Sequence, residues 1–350
     1  MAPSSTVVLS LLLFLFFQFP FFHSAHAQVA GLNTLTVFDL SRTGRTAGLG
    51  MDYLSLFDPS DLTIGIDNPS LICDGMASSG VLSFVPMFSG SNMGTLAYAH
   101  RFDRIGTVVF GFHFVNYGRF DEYDEEDNYL GGFSAGDYSI SVGWGMWLDS
   151  NFSVGATFKP VLSQYESYTA FAVLFDVAGS YVSDDRRFAA TLMGRNIGTQ
   201  IVTFDETVEH LPFELSAELS YKLKNAPFRL FFAATELQRW NLRYEDPLNP
   251  TTTTDPFTGE VTKESWLAGT FDNLMRHTLM GVELSLGKSL FARVGYSWRQ
   301  TAEMRGFDAF NLSGFSFGLG LRTKKFEFSF ARHNYHLSQA PNYLTLSYRF

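Results

Sequence analysis

The sequence is poor in charged residues, and it has no long apolar run after its first 27 residues. Charged residues make up 17% of the 350 residues, whereas soluble domains usually carry about a quarter. So few charges are typical of a protein whose surface is partly covered by something other than water. The absence of a later run of about 18 apolar residues argues against a membrane helix in the mature chain. Mean hydropathy is near neutral at +0.02, which also argues against a helical membrane bundle.

Cysteine and positive charge are scarce as well. Cys73 is the single cysteine, so no internal disulfide can form, and we expect it to be a small buried residue. The net charge is -10 without any run of Lys or Arg, which argues against nucleic acid as a partner. Phosphate-binding loops, dinucleotide fingerprints and zinc-ligand spacings are all missing. Nothing in the sequence therefore indicates a cofactor, a metal or an enzyme.

The first 27 residues predict a secretory signal peptide. Residues 7–17 form an apolar core, and the small-x-small pattern AHA at residues 25–27 predicts cleavage near Ala27. An uncleaved membrane anchor is the competing interpretation. The apolar run is short and is broken by Gln18 and Pro20, which favours cleavage.

Aromatic residues are abundant and often alternate with polar ones, with 37 Phe, 15 Tyr and 5 Trp in the chain. Strand side chains alternate between two faces, so the last stretch has one polar and one apolar face. An apolar strand that ends in a C-terminal Phe is typical of chains inserted into a bacterial outer membrane by the barrel assembly machinery. The residues of this predicted assembly signal are Leu344, Leu346, Tyr348 and Phe350.

The same alternation recurs about every ten residues and predicts about fourteen strands. Ten residues suit a tilted membrane crossing, and a sheet in hydrocarbon must close because it cannot leave an unpaired edge. Tight turns also alternate with longer loops, as they do between the two sides of outer-membrane barrels. We therefore predict an all-β membrane protein, an antiparallel barrel over residues 77–350. The predicted strands are residues 79–88, 93–102, 106–116, 136–147, 151–161, 168–181, 187–196, 211–223, 227–236, 278–287, 290–300, 313–322, 325–334 and 342–350.

Residues 28–76 differ from the barrel region and predict an N-terminal plug, inside or beneath the barrel. Several charged residues fall on the predicted inward face. They could line a pore, or they could pair and fill a plugged lumen, since buried charges are usually paired. These inward residues are Glu214, Glu218, Glu283, Glu327, Arg293 and Arg299.

Three further features lie at the predicted strand ends and outer loops. Aromatics at strand ends predict a girdle at the membrane surface, formed by Tyr117, Trp147, Trp298, Tyr348 and Phe350. The acidic stretch at residues 121–127 could bind Ca²⁺ but lacks the spacing of a calcium loop, which favours a solvated loop. Four histidines would lie near the outer side, without the spacing of a catalytic triad: His210, His277, His333 and His336.

A long loop near residue 250 is rich in proline and threonine and reads as extended and exposed. Such an outer loop is a natural docking surface for another protein. Residues 269–277 predict a short helical turn that leads into the next strand. The candidate docking residues are Tyr244, Pro247, Pro250, Phe257 and Trp266.

Four stretches resemble the PorQ family of type IX secretion proteins, which is related to PorV and to FadL-type fatty acid transporters. They are VFDLSRTGRTAGLG at 37–50, IDNPSL at 66–71, LPFELSAELSYKLKNAPFRLFFAATELQRWNL at 211–242 and DNLMRHTLMGVEL at 272–284. The resemblance implies a fourteen-stranded, FadL-like barrel with an N-terminal plug, integral to the outer membrane of a Bacteroidota-type bacterium. It also implies a non-enzymatic part of the complex that trims secreted cargo and links it to lipopolysaccharide. In that complex the protein would hold a PorZ-like surface protein beside PorU-like and PorV-like partners.

Two functions from different classes therefore stay open, and a third, a barrel enzyme that acts on lipid or peptide, has the least support because no Asp/His or Ser/His pair is indicated at the rim. The first is an interaction protein, a plugged barrel whose outer loops anchor a surface subunit. The second is a channel or transporter for hydrophobic small molecules, which rests on analogy with the FadL-type fold alone. Whether the N-terminal segment fills the lumen discriminates between them.

Overall fold

A single closed wall of antiparallel strands organises the molecule. The computed structural model describes residues 35, 38, 40–205, 208–243, 252–254, 261–263, 265–304, 312–334 and 340–350. Within these residues fourteen strands form a closed barrel, each paired with its neighbours, and β1 (Ser79–Pro86) pairs with β16 (Asn342–Arg349). The predicted fold class, an antiparallel barrel of about fourteen strands, is confirmed.

The strands between these two follow one another around the wall. They are β2 Asn92–Phe102, β3 Gly106–Tyr123, β4 Tyr129–Trp147, β5 Phe152–Tyr165, β6 Tyr168–Val182, β7 Phe188–Val202, β8 Glu214–Lys222, β9 Phe228–Ala234, β12 Thr278–Leu286, β13 Leu290–Ser297, β14 Phe315–Arg322 and β15 Phe326–His333. Two short strands, β10 (Thr252–Thr254) and β11 (Val261–Lys263), pair only with each other, between β9 and β12.

The alternation of side chains sets the two faces of the wall. In β16, Leu344 and Leu346 are 39% and 42% exposed, whereas Thr345 between them is 1% exposed. The same pattern recurs around the barrel, so the outer surface is a continuous apolar belt and the inner surface is polar or small. So large an exposed apolar surface is unfavourable in water, whereas it is typical of a barrel that is surrounded by a lipid bilayer. The barrel is therefore built as an integral outer-membrane protein.

The wall is tall on one side and short on the other. Strands β3 to β7 contain 14 to 19 residues, whereas β8, β9 and β12 to β16 contain 7 to 9. The predicted loop at residues 117–135 is wrong, because β3 and β4 continue through most of it. The predicted end of β7 near residue 196 is wrong in the same way. Register shifts beside Asn116 and Asp176 break the period-two pattern at these points.

Four helices of five or more residues lie among the described residues: Gly44–Gly48, Leu62–Asp67, Trp266–Arg276 and Trp298–Glu303. Short 3₁₀ turns occur at Pro69–Leu71, Asp74–Met76 and Phe88–Gly90. The predicted strand at 290–300 is wrong in its last three residues. There Ser297 caps a helix by accepting from the amide of Gln300, so Trp298 and Arg299 leave the wall. None of the helices among the described residues is long and apolar enough to cross a membrane.

Residues 40–78, called the plug below, lie inside the barrel. Thr43 and Asp61 cap the two short plug helices through their side-chain oxygens. Apolar plug residues such as Leu49, Leu62 and Ile64 are at most 1% exposed and pack on the inner wall. This position agrees with the predicted plug for its described part. The signal peptide and the cleavage near Ala27 lie outside the described residues.

Candidate functional site: a filled lumen and an aromatic rim

The plug is tied to the wall by a buried network of ion pairs centred on Arg45. This residue lies in the helix Gly44–Gly48, is 3% exposed, and forms ion pairs with Asp58 and Asp61 of the plug. Its Nη2 donates to Oε1 of Glu283 on β12 at 3.0 Å, and its Nε donates to Oε2 of the same carboxylate at 3.2 Å. The two plug carboxylates are thus joined to the wall through one guanidinium.

Two arginines of the wall extend the network to its neighbours. Arg293 on β13 donates to Glu283 at 2.7 Å and lies 3.9 Å from Glu327 on β15. Arg322 on β14 donates to Glu327 at 2.6 Å and to plug Asp58 at 2.7 Å. Buried charges are stable only when they are paired in this way. The network therefore fastens the plug to four consecutive strands, β12 to β15.

The plug backbone also approaches the wall too closely for any side chain. A Cβ at Gly295 would lie 2.0 Å from the carbonyl oxygen of Leu49, and a Cβ at Gly48 would lie 2.9 Å from Cα of Gly318. Glycine is needed at these positions because Cβ atoms essentially never lie within 3.0 Å of backbone atoms of another segment. The plug fits against β13 and β14 at van der Waals distance.

Hydrogen bonds hold the opposite side of the plug. The amide of Ser55 donates to Oε1 of Glu218 on β8 at 2.7 Å. Asn68, in the IDNPSL stretch at 66–71, donates to Oγ1 of Thr191 on β7 at 3.2 Å. Ser70 and Ser180 are joined by a hydroxyl hydrogen bond of 2.6 Å. The plug is consequently bound around most of the lumen.

Among the predicted inward charges, Glu283, Glu327 and Arg293 pair within the network and Glu218 accepts from the plug backbone, so these side chains fill the lumen and the pore-lining alternative is not supported. Glu214 pairs with Arg195 at 3.4 Å, in addition to the residues of the network. Arg299 differs from the prediction, because it lies in the helix Trp298–Glu303 and pairs with Glu236 at the rim at 3.2 Å. Sequence reasoning missed Arg45, although an arginine within the glycine-rich stretch TGRTAGLG at residues 43–50 was a signal that could have been used.

A small cavity with a mixed lining lies between the plug and the tall side of the wall. Its volume is about 10 Å³, room for about one water molecule. Arg42 of the plug lines it together with His113 and Lys159 of the wall. Nearby, β4 and β5 lose two pairs of their ladder beside Pro160, which has no N–H to donate.

The loop-side rim above β9, β12 and β13 is aromatic and strongly hydrogen-bonded. The helix Trp266–Arg276, called the rim helix below, was predicted as a helical turn at 269–277. Its Asn273 accepts from the amide of Leu242 at 2.9 Å and donates to the carbonyl of Trp240 at 2.7 Å. His277 follows the helix, is buried, and contacts the carbonyls of Thr235 and Trp240 through its two ring nitrogens.

Asp272 links the rim helix to its surroundings. It accepts hydrogen bonds from Trp298 at 2.9 Å, from Arg276 at 2.9 Å and from Arg243 at 3.1 Å. Burial raises the pKa of this carboxyl, but the bonds from Trp298 and Arg276 and the charges of Arg276 and Arg243 outweigh it. The pKa of Asp272 therefore lies below its ordinary value.

The predicted girdle is partly wrong. Trp147 points inward, with its ring 5.3 Å from that of plug residue Phe57, and the outward tryptophan is Trp144. Tyr117 also points inward, where its hydroxyl donates to buried Asp137 at 2.6 Å. Neighbouring residues of a strand face opposite sides of the wall. An aromatic residue near a strand end can therefore point either to lipid or to the lumen. Outward aromatic contacts do join Phe326, Tyr348 and Phe350.

The candidate docking residues are mostly outside the described part of the chain. Tyr244, Pro247, Pro250 and Phe257 lie there, whereas Trp266 begins the rim helix and is 77% exposed. The assembly-signal residues Leu344, Leu346, Tyr348 and Phe350 all belong to the closing strand or its end.

The remaining candidates are the acidic stretch, three of the histidines and Cys73. The acidic stretch forms the tip of the β3–β4 hairpin, where Asp124 accepts from the amides of Glu126 and Asn128. No cluster of three or more His, Cys, Asp or Glu suited to a metal occurs among the described residues. His210 is exposed, His333 contacts Gln300, and His336 is not described. Cys73 is half-buried rather than buried.

Comparisons with known proteins give structural similarities only. No protein-family description and no curated protein matches the sequence. The Pseudomonas putida toluene transporter TodX has a TM-score of 0.48 and 10% identity, covering 89% of this chain and 98% of that one. A Pseudomonas aeruginosa FadL homologue has a TM-score of 0.44 and 11% identity over 89% and 99%. The KdgM porin has a TM-score of 0.32 and 9% identity over 78% and 99%. Similarities at this level carry no argument about function, and the barrel is established by its own strand pairing.

Proposed function

We propose that this chain is a non-enzymatic outer-membrane component of a type IX secretion system, where it anchors a PorZ-like surface subunit of the attachment complex. PorU-like and PorV-like proteins would be its neighbours, and lipopolysaccharide its lipid surroundings. The observation that carries the proposal is the buried network around Arg45, which fastens the plug to the wall. A lumen filled in this way suits a fixed scaffold better than a passage.

The loop side of the barrel supplies the surface for a partner. Residues 235–265 connect the end of β9 to the rim helix, and they contain Tyr244, Pro247, Pro250 and Phe257. Trp266 follows directly and exposes most of its indole. Exposed aromatics of this kind are the residues that most often anchor protein interfaces. We assign the docking of the surface subunit to this loop.

Deletion of residues 244–264, with a short Gly-Ser bridge in their place, tests the assignment and leaves the rim helix intact. We expect the barrel to assemble normally and the surface subunit to be lost into the medium. The matched control shortens the tip of the β3–β4 hairpin at residues 124–128, on the tall side of the barrel. Normal retention of the subunit after the first deletion would refute the docking role of this loop.

Transport of hydrophobic small molecules is the second candidate function. The small cavity beside the interrupted β4–β5 ladder is the feature that favours this class of activity. The cavity holds about one water molecule, so a solute could pass only if the plug moved.

Uptake of a fluorescent apolar solute into proteoliposomes separates the two functions. The anchoring proposal predicts the same uptake as liposomes that contain the heat-denatured protein. Saturable uptake by the native protein would favour the transporter instead. A variant that keeps full uptake but has lost the outer loop would show that the two properties are independent.

A further inference from the structure

The rim helix exposes its apolar face, whereas a helix of a soluble protein buries that face. Leu267, Phe271 and Leu274 are 69%, 57% and 50% exposed, and their spacing places them on one face. The face toward the protein instead holds Asn273, which is 5% exposed. A helix in water buries its apolar stripe. Something apolar must therefore cover this exposed face.

The position of the helix relative to the wall indicates what covers it. The ring of Phe271 lies 6.4 Å from the ring of Trp298, edge to face. Trp298 begins the helix that directly follows β13, whose outward residues Leu290 and Val294 are 50% and 46% exposed and face lipid. This ring contact places the apolar face of the rim helix next to the loop-side end of the lipid-facing belt.

The height of the wall gives an independent reason. Strands β9, β12 and β13, directly beneath the rim helix, have 7, 9 and 8 residues. At about 3.3 Å per residue and a tilt of about 40°, eight residues span roughly 20 Å of membrane, whereas the apolar band of such barrels is about 25 Å tall. The strands alone leave the belt too short on this side. An apolar helix placed on top of them makes up the missing height.

We propose that the rim helix lies in the outer-leaflet boundary of the membrane, with Leu267, Phe271 and Leu274 covered by lipid acyl chains. Amphipathic helices of this type bury their apolar face roughly 5–10 Å below the headgroups. The charged residues Asp272 and Arg276 point to the protein side, where they pair with each other. This assignment goes beyond the anchoring function, because it gives this face to lipid and not to a docked protein.

Site-directed spin labelling of the purified full-length protein in bilayers tests the proposal. The single cysteine is removed by Cys73→Ser, and a nitroxide is attached at Leu274→Cys or, in a second variant, at Leu267→Cys. Collision of the label with oxygen, which concentrates in lipid, is compared with collision with a water-soluble nickel chelate. Leu344→Cys on β16 is the lipid-facing reference, and Glu126→Cys at the hairpin tip is the aqueous reference.

We expect labels at 274 and 267 to resemble the label at 344, with frequent oxygen collisions and several-fold fewer chelate collisions than at 126. Chelate collisions as frequent as at 126 would overturn the proposal, because the face would then be in water. Protection from both reagents would also overturn it, because the face would then be covered by protein. If both reagents are excluded, the measurement is repeated in the variant that lacks residues 244–264. Loss of protection in that variant would identify residues 244–264 as the segment that covers the helix. Heat-shift electrophoresis checks that each variant is a folded barrel.

Discussion

Replacing Arg45 by methionine is the most direct test of the filled lumen. Within the described network three arginines face four carboxylates: Arg45, Arg293 and Arg322 against Asp58, Asp61, Glu283 and Glu327. Arg45→Met keeps most of the side-chain volume but leaves two cations for four carboxylates, of which Asp61, Glu283 and Glu327 are buried. Removing one partner of a buried pair costs about 3–5 kcal/mol, because an uncompensated charge stays behind. The free energy that favours the bound plug over the released plug should fall by about this amount.

The consequence is a larger population of barrels with a loosened plug. Since about 1.4 kcal/mol corresponds to a factor of ten, a loss of about 3–5 kcal/mol should make the released state roughly 10²- to 4 × 10³-fold more populated. Planar-bilayer recordings should show ion-conducting openings that the wild type lacks. Protease cleavage within residues 40–78 should accelerate, while heat-shift electrophoresis still detects a folded barrel.

The matched control for Arg45 is an exposed ion pair between the plug and the wall. Arg101 on β2 lies 3.3 Å from plug residue Asp74, with both side chains more than half exposed. Exposed pairs contribute at most about 1 kcal/mol, so Arg101→Met should leave conductance and protease resistance almost unchanged. If Arg45→Met behaves like this control, the network does not hold the plug and the scaffold argument fails.

Three further changes probe the plug contacts and the rim. Gly295→Ala should push the plug backbone off β13 and raise conductance, whereas Gly179→Ala, where a Cβ would meet nothing within 4 Å, should not. Trp147→Ala should lower the free energy of unfolding in detergent by about 3 kcal/mol through loss of its packing on the plug, while Trp144→Ala on the lipid face should cost much less. Asp272 has a folded pKa below its unfolded value near 3.8. Its stabilisation is therefore present above about pH 4 and lost as the pH falls through the folded pKa.

Each of these three expectations would be contradicted by a different result. Equal conductance of the two alanine variants at glycine positions would mean that the plug tolerates displacement. Equal unfolding free energies for the two tryptophan variants would contradict the inward orientation of Trp147. For the rim, thermal unfolding of the wild type is compared with that of Asp272→Asn between pH 7 and pH 3. A stability difference that does not shrink at the acidic end would contradict the pairing of Asp272 with Arg276.

Period-two alternation predicted the strands well wherever the ladder is regular. The predicted strand 342–350 matches β16 within one residue, and 168–181 matches β6 within one residue. The prediction was wrong beyond Asn116 and Asn196, where bulges shift the pattern by one position. A bulge leaves no reliable mark in composition, because it depends on how two strands twist against each other.

The face of an individual aromatic was harder to predict than the strand that holds it. Trp144 and Trp147 lie three positions apart on β4, and only the first faces lipid. Trp147 contacts Phe57 and Arg186 inside the barrel, and both partners are distant from it in the sequence. The same holds for Arg45, whose wall partner Glu283 is 238 positions away.

The sequence by itself determined that this chain is a closed sheet with one apolar face, because alternation is a local property of the strand and hydrocarbon tolerates no open edge. It also indicated that a separate N-terminal segment precedes the barrel. Only the tertiary structure decided that this segment is locked to four strands by buried ion pairs, and that the rim helix turns its apolar side outward. Both features depend on residues brought together across the barrel, and no local pattern records which charge meets which.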